Sequence, residues 1–104
     1  MLQMREYKNG PLPDCLMQSA FVTPDESEFA LPKEEALKYL GWCKNRALSV
    51  LGFDVWIPSQ HWPTVIENLT FEGNIDESEK AIQAMDNTSL IFNIWIDTKW
   101  NTPE

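Results

Sequence analysis

Between Ser49 and Ile57 the chain alternates, with Leu51, Phe53, Val55 and Ile57 on one parity and Val50, Gly52, Asp54 and Trp56 on the other. A period of two predicts a strand that buries the first set and turns the second outward, setting a carboxylate beside an indole. Upstream, from Pro32, Ala36, Leu40, Cys43 and Ala47 recur at helical spacing and Leu37 widens the stripe, while Lys33, Glu34, Lys38 and Lys44 fall outside it. This predicts an amphipathic helix. Downstream, PSQHWP reads as a turn, and residues 64–71 alternate Val65, Glu67, Leu69 and Phe71 with Ile66, Asn68 and Thr70, predicting a second strand. Gly73-Asn74 is a turn, and Asp76 with Glu79 has the spacing of a helix cap and its reciprocal partner. The helix so opened runs through Met85 and buries Ala81, Ile82 and Met85. SLIFNIWID (89–97) is β-branched and aromatic on both parities, the mark of a central strand.

The first third is less regular. Two prolines and a glycine predict a loop at residues 9–14, NGPLPD. CLMQSAFV (15–22) is a short apolar run that reads as strand or buried helix, with strand preferred. Thr23-Pro24-Asp25-Glu26 has the order of a capped helical turn. Residues 1–14 and 98–104 are expected to be loose. The elements add up to an α+β fold: a single domain over residues 1–104, with a mostly antiparallel or mixed β-sheet packed by two main helices.

Composition narrows the function classes. A hydrophobic fraction of 43% supports a packed core in a 104-residue chain. Sixteen acidic residues against eight Lys and Arg leave a formal charge of −8. That field repels phosphate backbones and anionic lipid, so it argues against nucleic acid and membrane as partners and favours a basic protein. The amino-terminal residues lack the apolar run of a signal peptide, no stretch approaches a membrane span, and Cys15 and Cys43 do not make a disulfide framework. A cytoplasmic protein is expected.

The case for catalysis is thin. Cys43 lies on the predicted helical core stripe, His61 (the only histidine) falls in a turn between tryptophans, and no glycine-rich loop cradles a phosphate. One histidine and unclustered cysteines do not make a zinc site, and Asp76, Glu77 and Glu79 lack the spacing of a calcium loop. No cofactor, metal or catalytic residue is therefore expected. A small enzyme using Asp54, His61 or Cys43 stands as the contrary hypothesis.

The tryptophans read two ways. Core packing is the default for Trp42 and Trp95. Trp56 shares a strand face with Asp54, and for it core and interface readings stay open. A face mixing indoles with carboxylates and amides suits protein binding, and the candidate partner-binding residues are Asp54, Trp56, Trp62, Glu67, Asn68 and Glu72.

Residues 36–66 also resemble a known family. A helix beginning Ala36-Leu37 leads into Val50-Leu51-Gly52-Phe53-Asp54-Val55-Trp56 and then Pro63-Thr64. This order is similar to small immunity proteins of bacterial polymorphic toxin systems, including contact-dependent inhibition systems, and more distantly to the immunity protein of a tRNA-cleaving colicin. The later SEKAIQAMDN segment before the last strand fits the same order. Phe53 stands where such proteins often have a second glycine. Val65-Ile66-Glu67-Asn68-Leu69 replaces a Tyr-Asp-Asn-Trp-like run, of which only Asn68 corresponds. The resemblance implies a cytoplasmic antidote that binds a basic toxin domain, a nuclease by charge logic, and blocks its active site. An acidic adaptor with a non-toxin partner uses the same surface, and pairing of two copies through apolar strands is open.

Overall fold

The computed structural model describes residues 4–58, 63–86 and 89–97, with the backbone alone at 58 and 63–68. Among the described residues, seven strands form a two-stranded sheet and a five-stranded sheet, and every pairing is antiparallel. In chain order these are β1 (Met4–Tyr7), β2 (Gly10–Pro13), a 3-10 helix (Asp14–Ser19), β3 (Phe21–Val22), β4 (Phe29–Pro32), α1 (Lys33–Asn45), β5 (Val50–Pro58), β6 (Pro63–Glu72), α2 (Ile75–Gln83) and β7 (Ile91–Ile96). The larger sheet has the order β3-β4-β7-β5-β6, so β7 is interior, as its two apolar faces predict.

Both helices pack on one face of this sheet. Phe29 and Leu31 of β4, Phe53 and Val55 of β5, and Phe92, Ile94 and Ile96 of β7 meet Ala36, Tyr39, Leu40 and Cys43 of α1 and Ile82 of α2. Two aromatic files run through this layer: Phe71 stacks on Phe53, which meets Phe92 edge-on, and Tyr7, Phe29, Tyr39 and Trp42 follow one another in ring contact. The helix opens at Pro32 as expected, but Ala47 lies beyond its end, exposed and at φ 57°. Tyr39 is the buried residue the stripe omitted, and its hydroxyl donates to the Pro11 carbonyl at 2.6 Å. Lys44 bridges to Asp76 (3.0 Å) and Glu79 (3.7 Å), and Lys33 Nζ donates to the carbonyls of Gln83 and Met85 at the end of α2. The α2 cap lies two residues earlier than the spacing of Asp76 and Glu79 suggests. Asn74 accepts from the Glu77 amide, and Glu77 accepts from the Asn74 amide, both at 2.9 Å. With Asn74 as cap, Ser78 and Ile82 are the buried positions, and Ala81 and Met85 are half-buried.

The amino-terminal third departs most from the sequence reading. NGPLPD is not a loop, because Gly10–Pro13 pairs with Met4–Tyr7 in a hairpin whose turn is Lys8-Asn9. The prolines are tolerated because this strand pairs only with β1. Gly10 has φ +150°, and a Cβ there would sit 2.6 Å from Ile96 Cγ1, so glycine lets the hairpin press against β7. CLMQSAFV is a 3-10 helix ending in the short β3, and Thr23–Glu26 is the tight turn between β3 and β4 rather than a helical one. Asp25 accepts from the Thr23 hydroxyl and from the amide and hydroxyl of Ser27, which holds its carboxyl down at about 2.

Asn9 is fully buried. The β4–β7 ladder pairs Leu31 with Phe92 and Pro32 with Ile91, and continuing that register would bring Phe29 to Ile94. The Asn9 side chain occupies that place instead. Its Oδ1 accepts from the Phe29 amide (3.1 Å), its Nδ2 donates to the carbonyls of Phe29 (3.1 Å) and Ile94 (2.8 Å), and its own carbonyl accepts from Ile96. A hairpin turn thus closes a seam between two strands of the other sheet.

Candidate functional site

The face of the larger sheet opposite the helices carries Ala30, Trp56 and Ile91 as a small buried cluster, with Asp54, Asn93 and Trp95 beside it. The strand β5 does not keep one phase. Its pairing to β7 shifts between Val50 and Gly52, and its pairing to β6 shifts between Phe53 and Val55. The first irregularity puts Val50 in the core with Phe53 and leaves Leu51 52% exposed, reversing what simple alternation assigns them. Ile57, expected inside, is 45% exposed.

At this irregularity a groove opens. Gly52 is paired with Trp95 on one side and with Glu72 on the other, and alternation puts all three on the face of Asp54. Leu51, Gly52, Phe53, Asp54, Thr70, Phe71, Glu72 and Trp95 line a solvent-open, mainly apolar groove of about 270 Å³. Gly52 has φ +150°, and a Cβ on it would lie 2.1 Å from the Phe71 carbonyl oxygen. Glycine at this position lets β5 and β6 run this close together beneath the groove.

Trp95 is held in place. Its Nε1 donates to Asn93 Oδ1, and Asn93 Nδ2 donates to the Phe29 carbonyl at 2.8 Å. Asn93 is fully buried, so the relay fixes the half-buried indole from below. Among the described residues no ion pair engages Asp54 or Glu72. The field of Asp54 reaches across the sheet to Glu28, whose carboxyl is raised by its own burial and further by Asp25 and Asp54, against the opposing pull of Lys8.

Of the residues singled out from sequence, Asp54 and Glu72 meet at this groove. Trp56 does not join them: it is only 4% exposed, packed with Ala30 and Ile91, so the core reading holds for it and it is not an exposed anchor. Trp95 stands at the groove in its place. Trp62 and His61 lie outside the described residues, and the side chains of Glu67 and Asn68 are likewise outside them, although their backbone belongs to β6. Leu51 and Trp95 were missed as site residues. The signal available was Gly52, a glycine inside a strand pattern, which marks a bulge or a bare floor.

Cys43 is on the buried face of α1, and burial pushes its thiol up to about 12, the opposite of what a nucleophilic thiolate needs. Alkylation of the folded protein at pH 8 should therefore modify Cys15, which is exposed, and spare Cys43 until urea is added; mass spectrometry of the adducts reads this directly. Among the described residues no group of three or more His, Cys, Asp or Glu is placed to hold a metal ion, and no helix is long and apolar enough to cross a membrane. Comparison with protein-family models, with curated proteins and with solved structures returns no match.

Proposed function

We propose that this chain is a cytoplasmic immunity protein that binds a basic toxin domain, a nuclease by charge logic, and occludes its active site without chemistry of its own. The observation that carries this reading is the pairing of Asp54 and Glu72, free of internal cations among the described residues, with an apolar groove on the helix-free face of the sheet. A net charge of −8 extends the same field over the molecule and would speed encounter with a basic partner. A toxin that grips phosphates must present a basic cleft, and a sheet face bearing carboxylates beside a tethered indole complements such a cleft in charge. The resemblance of residues 36–66 to immunity proteins points the same way.

The test is to look for a toxin-like domain encoded beside this chain and to titrate it by calorimetry at low and high salt; absence of such a domain would itself count against the reading. Nanomolar or tighter binding that weakens with salt is expected. The double exchange Asp54→Lys and Glu72→Lys should weaken it by at least about 3 kcal/mol, since it removes two attractive charges and installs two repulsive ones. A folded protein that does not bind the domain would overturn the immunity reading in favour of an adaptor with another partner.

A further inference from the structure

We propose that the groove over Gly52 is a receptor for a single arginine side chain presented by the partner, an inference that rests on the binding role above and names the chemistry of its anchor. Two of the cavities lined by described residues make the case by contrast. The larger, about 500 Å³, lies between the β1–β2 hairpin and the β3–β4 turn, and its two charged lining residues, Arg5 and Glu26, pair with each other at 3.5 Å. It is neutral, and its charge is already matched. The groove over Gly52 has two carboxylates on its walls, Asp54 and Glu72, and no described cation on either.

An occupant must answer both halves of that lining. The lining is mainly apolar, with the bare Gly52 backbone and the Trp95 indole on the face of the two carboxylates, and it favours an aliphatic stem. The two carboxylates favour a cation at its end. Lysine and arginine both have this form, but the aromatic wall separates them. A guanidinium is planar and weakly hydrated, stacks on an indole, and offers several N–H donors in a fork that serves carboxylates on two sides. An ammonium is a compact, strongly hydrated point charge that gains less from leaving water for this groove. Because Asn93 already ties the Trp95 indole, little side-chain freedom remains to be lost on binding.

The probe is Nα-acetyl-arginine amide, titrated into the ¹⁵N-labelled protein at millimolar concentrations, with the lysine and norleucine amides alongside. Expected are shifts confined to the amides of residues 51–54 and 70–72 and to the Trp95 indole N–H. The lysine amide should be bound at least about threefold more weakly, and the norleucine amide should give no saturable shift. In the variant Asp54→Asn, Glu72→Gln the arginine response should weaken by about tenfold or more, while unchanged peaks elsewhere show an intact fold. Absence of shifts at the groove, an equal response to lysine, or an undiminished response in the variant would each overturn the proposal. The outcome separates from that of the immunity reading. Tight toxin binding without an arginine response leaves immunity standing and removes the arginine site. An arginine response without toxin binding leaves the site and removes the toxin.

Discussion

Replacing Asn9 by alanine should cost the domain about 3–5 kcal/mol, because each buried backbone group left without a partner costs roughly 1–3 kcal/mol. The exchange strips the Phe29 amide and the Ile94 carbonyl of the Asn9 side chain, whereas the Phe29 carbonyl keeps its bond from Asn93. Against a typical domain stability of roughly 5–15 kcal/mol, this is a large fraction. Urea unfolding followed by tryptophan fluorescence measures it. Aspartate should rescue little, because it retains the acceptor for Phe29 but loses the donor to Ile94 and buries a charge. A loss below about 1 kcal/mol would mean that water replaces the amide and that the seam is not closed by this side chain.

The second large effect is expected at Gly52. Alanine there meets the Phe71 carbonyl oxygen at 2.1 Å from backbone that cannot swing aside, and it must hold φ +150°. Strain of this kind costs about 1–3 kcal/mol before the collision is counted, so a loss of at least about 3 kcal/mol is expected in the same unfolding experiment. The damage should concentrate where β5 leaves β6. Amide exchange at residues 70–72 should accelerate well before that of β7, whose partners on both sides survive. Gly10→Ala is a useful comparison, since its Cβ would meet a side chain, Ile96, that has some room to yield.

Much of the architecture was legible because its signals are local. The β7 segment carries apolar residues at both parities, and no position inside it is charged, so an interior strand follows from composition alone. The helix after Pro32 and the hairpin of β5 and β6 likewise follow from spacing. What failed to show is what depends on distant partners. Asn9 looks like a turn residue beside a glycine, and nothing near it in sequence indicates that its amide reaches residues 20 and 85 positions away. The alternation of β5 was visible, but its phase was not. An irregularity of one residue near Gly52 transfers Val50 inward and Leu51 outward, and it depends on register with β7. Hence the spacing names Asp54 and Glu72 as candidates without assigning Glu72 to a face, leaves Trp56 open between core and surface, and puts Trp95 in the core. In the fold Asp54, Glu72 and Trp95 line one groove and Trp56 is buried. The cap of α2 was displaced for a milder reason: Asn74 and Asp76 are both good caps, and the choice between them turns on whether Ser78 and Ile82 face the core.

The interior place of β7 carries a consequence for how the molecule is made. Its neighbours β4 and β5 leave the ribosome long before it does, and each then has an unpaired edge waiting for a strand that follows in the chain. The same late segment brings Trp95, the tether from Asn93, and the backbone that Asn9 closes upon. The nascent chain therefore cannot acquire its groove by degrees. Until residues 91–96 have been added, the larger sheet lacks the strand that joins β4 to β5, and the groove over Gly52 lacks its Trp95 wall.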